Sequence, residues 1–137
     1  MKVFVYGTLQ RGEGNSHLLA GAEFLGAAVT VRRFGMTDVG FPFILRELAV
    51  ARVAGELFDI GNDFDCLRRL DRLEAEGLMY DRISGMVDCD DGRRHCCQFY
   101  VKHDDRPRGR VVPVNADGLL VWPRRNRANN GTEACER

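Results

Sequence analysis

Long apolar runs are missing from this chain of 137 residues. No segment approaches the roughly 20 residues that a membrane-crossing helix requires, so no membrane partner is expected. Surplus charge is missing as well. Lys and Arg number 20 and Asp and Glu number 20, for a formal net charge of zero. That balance provides neither a basic field for nucleic acid nor an acidic solvating tail. What remains as a partner is a small molecule. The five cysteines, at positions 66, 89, 96, 97 and 135, lack metal-ligand spacing. Cys96 and Cys97 are adjacent rather than two residues apart, and on a strand His95 points to the opposite face from Cys96. No metal and no cofactor is therefore expected. No secretory leader is expected, because Met1-Lys2 runs directly into a strand without a charged n-region followed by a longer apolar h-region. An odd cysteine count in that setting reads as reduced, packing thiols, and the expected location is the cytoplasm. There the sequon Asn130-Gly131-Thr132 meets no glycosylation machinery.

What is present is mostly strand. Val3-Phe4-Val5-Tyr6 combines β-branched and aromatic residues in a buried-strand pattern and runs straight into the loop Gly7-Thr8-Leu9-Gln10-Arg11-Gly12. A glycine directly after a strand lets the backbone turn sharply with its N–H groups uncovered, a cradle for an anion or a carboxylate. A nucleotide is a poor occupant, since Glu13-Gly14 stand where a phosphate loop places Lys and Ser or Thr. One or two helical turns are expected over Ser16 to Ala20, with Asn15 or Ser16 as the cap. Phe24 to Phe34, Phe41 to Leu45 and Ala49 to Ile60 read as strands, broken at Gly35, Gly40 and Glu47. Arg82 to Cys89, the turn Asp90-Asp91-Gly92 and Arg94 to His103 read as a β-hairpin. A single domain is expected over residues 1–123, followed by a disordered polar tail over 124–137 in which Arg124, Arg125 and Arg127 are solubilising charge.

One segment carries a full helix signature, Asp63 to Glu76. Asn62 can cap it, Asp63 and Asp65 suit its positive first turn, and Gly77 suits its terminator. At about 100° per residue, Phe64, Cys66, Leu67, Leu70 and Leu73 share one half of the wheel, while Arg68, Arg69, Arg72 and Glu76 share the other. Glu74 breaks the division by landing inside the apolar arc. A carboxylate aimed at a core either finds a partner, such as Arg82, or rises in pKa until it protonates. The second outcome makes a general acid/base. Asp71 lies one turn earlier at the edge of the arc and is expected to bond nearby backbone.

Tyr6-Gly7-Thr8-Leu9, followed by Arg11-Gly12 and Asn15, resembles the opening motif of the gamma-glutamylcyclotransferase-like family, especially its gamma-glutamylamine cyclotransferase branch. Leu70-Asp71, Glu74, Tyr80 and Arg82 are similar in type and spacing to the segment that carries that family's catalytic glutamate. Gly55-Glu56-Leu57-Phe58-Asp59-Ile60 resembles the strand before it. The likeness spans roughly residues 2 to 100, and nothing after Val101 matches. Where many members follow the glutamate with glycine, this chain reads Glu74-Ala75-Glu76-Gly77. The spacing to Leu70-Asp71 and to Tyr80 selects Glu74, and the wheel puts Glu76 on the polar side.

The resemblance implies an α+β fold, a small mixed β-barrel with one principal α-helix. It also implies a cofactor-free cyclisation of a small gamma-glutamyl substrate to 5-oxoproline, with Glu74 as general acid/base. The amides of Gly7, Thr8 and Leu9 would then hold the substrate's α-carboxylate or the developing oxyanion. Tyr6 is either a pocket hydroxyl or the last core residue of its strand, and Tyr80 carries the same alternatives with the family match beside it. Arg82 either neutralises a substrate carboxylate or pairs with Glu74 or Asp71, and Asn15 reads as a helix cap. The competing reading is a noncatalytic ligand-binding or regulatory protein on the same fold. Glu74 in the apolar arc speaks for the enzyme.

Overall fold

The computed structural model describes residues 1–122 of the chain; the expected tail, with Cys135, lies outside them. Eight strands and one α-helix succeed each other as β1 (Lys2–Val5), β2 (Glu23–Asp38), β3 (Pro42–Leu45), β4 (Ala51–Asp59), α1 (Phe64–Leu73), β5 (Tyr80–Cys89), β6 (Arg94–Lys102), β7 (Arg110–Val111) and β8 (Leu119–Leu120), with a 3-10 turn over Ser16–Leu19 after β1. The strands run β3-β2-β5-β6-β1-β4-β8, and a further β2–β4 pairing joins the two sides. Strands β2, β5, β6, β1 and β4 thereby close into a barrel. Its pairings are antiparallel except for β1 with β6 and β4 with β8, so the sheet is mixed, as expected.

β1 explains why its sequence is apolar at every position after Lys2. Phe4 and Tyr6 belong to the cluster that fills the barrel with Phe34, Leu57, Val87 and Phe99. Val3 and Val5 point the other way, into a second cluster with Leu19, Phe58, Cys66, Leu67, Leu70, Tyr80 and Tyr100. Alternation along the strand thus feeds two cores, one inside the barrel and one under α1.

Three sequence expectations are corrected here. β2 does not stop at Gly35 but runs on to Asp38, pairing Gly35 with Leu45. The glycine is there because a Cβ would stand 2.9 Å from the Leu48 Cβ, a close approach within a continuing strand. The cap of α1 is Asp63, not Asn62: its Oδ1 accepts the Cys66 N–H at 2.9 Å. The helix also ends sooner than its pattern, at Leu73, with Glu74 in the capping position and Ala75 at a φ of 48°. Hydrogen bonding accounts for the early stop. Gly77 N–H donates to Tyr80 O at 2.7 Å and Glu76 N–H to Asp71 O at 3.0 Å, so the chain is pulled toward β5. The buried stripe narrows accordingly to Cys66, Leu67 and Leu70, leaving Phe64 57 % and Leu73 38 % exposed.

Among the described residues no helix is long and apolar enough to cross a membrane. The expected hairpin is present, with β5 and β6 paired from Tyr80–Lys102 to Asp88–Arg94.

Candidate active site

The end of β1, the head of β3 and the end of α1 converge on a cavity of about 320 Å³. β1 and its loop contribute Phe4 to Leu9, the segment before β3 contributes Phe41 and Pro42, and α1 contributes Leu73 and Glu74; Asn15, Met79, Tyr80 and Tyr100 complete the wall. Glu74 is the one formally charged residue in that lining.

The loop is fixed from several sides. A Cβ on Gly7 would stand 2.7 Å from Cγ and 2.8 Å from Cδ of Pro42, so the glycine is required by close approach to a ring. Thr8 is held by Asn15, whose Nδ2 donates to Thr8 Oγ1 at 2.9 Å and whose N–H donates to Thr8 O at 2.9 Å. Asn15 makes no side-chain cap to the 3-10 turn, which corrects its reading as a cap. Farther on, Arg11 N–H donates to Glu56 Oε1 at 2.7 Å, and the Arg11 guanidinium lies 3.5 Å from the Phe24 ring centre. Gln10 N–H closes the turn onto Gly7 O at 3.1 Å. The turn therefore closes on carbonyls rather than on the amides of Gly7, Thr8 or Leu9, as an anion cradle needs.

Three tyrosines surround Glu74, and none donates to it. Tyr6 OH donates to Tyr100 O at 2.6 Å, Tyr80 OH to Pro42 O at 2.7 Å, and Tyr100 OH to Asp71 Oδ1 at 2.6 Å. Burial raises the pKa of all three phenols, and the neighbouring Glu74 charge adds to that rise. They stay protonated donors. The Glu74 carboxyl forms no hydrogen bond or ion pair among the described residues, so desolvation acts on it unopposed and pushes its pKa up to about 7. A carboxyl poised there takes and returns protons at neutral pH.

Of the residues singled out in the sequence, Tyr6, Gly7, Thr8, Leu9, Glu74 and Tyr80 come together at this cavity. Tyr6 packs in the barrel and also lines the pocket, with its hydroxyl bonded to Tyr100 O. Arg82 does not reach the lining. Its Nε and Nη2 grip Asp71 at 2.9 and 3.3 Å, and its Nη1 donates to Gln98 Oε1 at 3.0 Å. Asp71 in turn bonds Arg82 and Tyr100 rather than the nearby backbone. Arg82 is therefore one step removed from the cavity, holding Tyr100 through Asp71.

Sequence reasoning missed Tyr100, Pro42, Phe41 and Met79. A tyrosine in the middle of a strand carries no mark of which cavity it borders. The one cluster of three potential metal ligands among the described residues, Cys89, Asp91 and His95, is not part of this lining.

Comparison with known proteins gives a consistent picture. Residues 3–118 match the family model described as "Gamma-glutamyl cyclotransferase, AIG2-like", which extends beyond the span legible by eye. Drosophila melanogaster CG2811 is 33 % identical over 109 residues, covering 73 % of this chain and 68 % of that protein. A Mus musculus protein named gamma-glutamylaminecyclotransferase is 30 % identical, covering 91 % and 98 %. The crystal structure of a Mus musculus AIG2-like protein superposes with a TM-score of 0.68 at 28 % identity, covering 92 % of this chain and 97 % of that one.

Proposed function

The chain belongs to the AIG2-like gamma-glutamyl cyclotransferase family, a family of enzymes, and on that premise we propose that its cavity closes a gamma-glutamyl group to 5-oxoproline with Glu74 as the proton carrier. The reaction needs few parts. The substrate's free α-amine attacks its own side-chain amide carbonyl, a five-membered lactam forms, and the C–N bond to the departing amine breaks. One proton leaves the attacking nitrogen and one arrives on the leaving nitrogen, so a single carboxyl that takes the first and gives the second balances the step. A pKa of about 7 suits both halves of that relay.

The rest is positioning. Ring closure is intramolecular, and holding the folded conformer is worth several kcal/mol in well-oriented systems. Among the described residues Glu74 is the only charged group in the lining, so none of them supplies a side-chain cation there for the substrate's α-carboxylate or for the oxyanion. The amides of Gly7, Thr8 and Leu9 are assigned to that work. Leu73, Met79 and Phe41 supply apolar surface for the departing amine.

The observation that carries this reading is an unpaired carboxyl raised to about 7 in the same cavity as the pinned, glycine-bearing loop. The test is incubation with a panel of gamma-glutamyl amines and amino acids, following 5-oxoproline release. Turnover by the wild-type chain and its loss in Glu74→Gln support the proposal. Wild-type rates in a folded Glu74→Gln remove Glu74 from the chemistry, and tight binding without turnover makes the protein a binding module.

A further inference from the structure

The turn joining β5 and β6 gathers three side chains of a different chemistry. The ligand atoms of Cys89, Asp91 and His95 all lie within 4.8 Å of one another. Hairpin register puts them there. Val87 pairs with His95, and Cys89 N–H donates to Arg93 O at 2.9 Å, so Cys89 and His95 are diagonal neighbours on one face. Gly92, at a φ of 82°, folds the turn back and brings Asp91 alongside.

Each donor is already oriented. Asp91 Oδ1 accepts the Arg93 N–H at 2.8 Å, which leaves Oδ2 facing His95 Nε2 at 2.9 Å. The Cys89 thiol makes long contacts to Leu25 O at 3.7 Å and Asp90 Oδ1 at 3.8 Å and also interacts with Asp91. β2 passes close behind: a Cβ on Gly26 would collide with the Asp90 carboxylate and stand 3.2 Å from Cys89 Sγ. The backing of the cluster is thus free of side chain.

We propose that Cys89, Asp91 and His95 form a zinc(II) site. One sulfur, one imidazole nitrogen and one carboxylate oxygen make a borderline-soft donor set that suits zinc and not magnesium or calcium. A tetrahedron with bonds of about 2.0 Å to nitrogen and oxygen and about 2.3 Å to sulfur has edges of about 3.3–3.6 Å. The nitrogen–oxygen pair, at 2.9 Å, opens by a few tenths of an ångström to reach that geometry, and the sulfur, within 4.8 Å of both, closes by at most about 1.3 Å. The ion takes the place of the hydrogen between Asp91 and His95 Nε2, the neutral imidazole carrying its one proton on Nδ1 instead, and of the Cys89 thiol proton, which is released to solvent with no change of oxidation state. Water or Asp90 fills the fourth position. Asp91 is exposed and His95 half-buried, while Cys89 is buried against the barrel cluster, so the ion reaches the site from the Asp91 side. The set escapes a reading by spacing because it ignores the adjacent Cys96 and Cys97.

The full-length chain, reduced and freed of metal, is titrated with cobalt(II) as the spectroscopic probe and back-titrated with zinc. One equivalent is expected to bring up the near-ultraviolet thiolate-to-cobalt band and the visible bands of four-coordinate cobalt, and zinc is expected to erase both. His95→Ala, at a half-buried surface position, is expected to weaken binding by about tenfold or more. Cys89→Ser is expected to abolish the near-ultraviolet band, and Cys96→Ser to leave it intact. Zinc is also expected to raise the melting temperature of the wild type but not of His95→Ala. A titration with no thiolate band, or a band that survives Cys89→Ser, overturns the assignment.

Discussion

Replacing Glu74 by glutamine gives the sharpest prediction, because the proposed proton carrier is also a buried carboxyl whose raised pKa makes stability depend on pH. Its carboxyl has an ordinary pKa of 4.5 when unfolded and about 7 when folded. Between those values the unfolded chain ionises while the folded one does not, so wild-type stability declines as pH rises through this interval and levels off above about 7. The interval corresponds to about 3 kcal/mol, a ceiling that solvent at the cavity mouth lowers. Glu74→Gln keeps the shape and cannot ionise. The stability of the variant minus that of the wild type is therefore expected to be near zero at about pH 4 and to climb by at least about 1 kcal/mol by about pH 8. Urea denaturation at a series of pH values measures it, and every other titrating group cancels in the difference. In turnover, the wild type is expected to show an ascending limb near pH 7, where the carboxylate form appears. The variant is expected to fall by about 10²–10⁴-fold and to lose that limb. A stability difference flat in pH, or a limb that persists in the variant, refutes an unpaired, desolvated Glu74.

Two further substitutions probe the support of the site. Gly7→Ala drives a methyl into the Pro42 ring at 2.7 Å and is expected to cost about 1–3 kcal/mol and to lower turnover; an active, equally stable variant, read by thermal melting and 5-oxoproline assay, disproves the close-approach argument. Arg82→Gln removes both bonds to Asp71 and leaves it to Tyr100 alone, at an expected cost of about 1–2 kcal/mol. Lower kcat with little change in KM is expected, partly restored in Arg82→Lys, because Arg82 acts through Tyr100; a large rise in KM alone instead makes it a direct substrate contact.

Patterns that repeat locally were legible in the sequence. β1, the β5–β6 hairpin and α1 all follow from alternation, turn chemistry or helical period, and the wheel picked out Glu74 because a carboxylate in an apolar arc is a local anomaly. Pairings between distant segments were not. Asp71 bonds Arg82 eleven residues on and Tyr100 twenty-nine residues on, across three elements, and no periodicity reports which charged residue meets which. Asn15 illustrates the same limit, since the preference for a cap is a property of the residue type, whereas its bond to Thr8 depends on how the loop folds back. The continuation of β2 through Gly35 and the gathering of Cys89 with His95 arise from register, which is set by the closure of the whole barrel.

The parallel pairing of β1 with β6 also bears on how the protein is made. Val3 lies beside Gln98, and the Tyr6 hydroxyl meets the carbonyl of Tyr100, ninety-four residues away. β1 is thus made well before β6, one of its two neighbours. A nascent chain that has emerged only through α1 already carries Gly7, Thr8, Leu9 and Glu74, yet it lacks the strand that seats Tyr6 and the tyrosines that surround the carboxyl. The tyrosine-lined cavity around Glu74 is therefore complete only once β5 and β6 are in place.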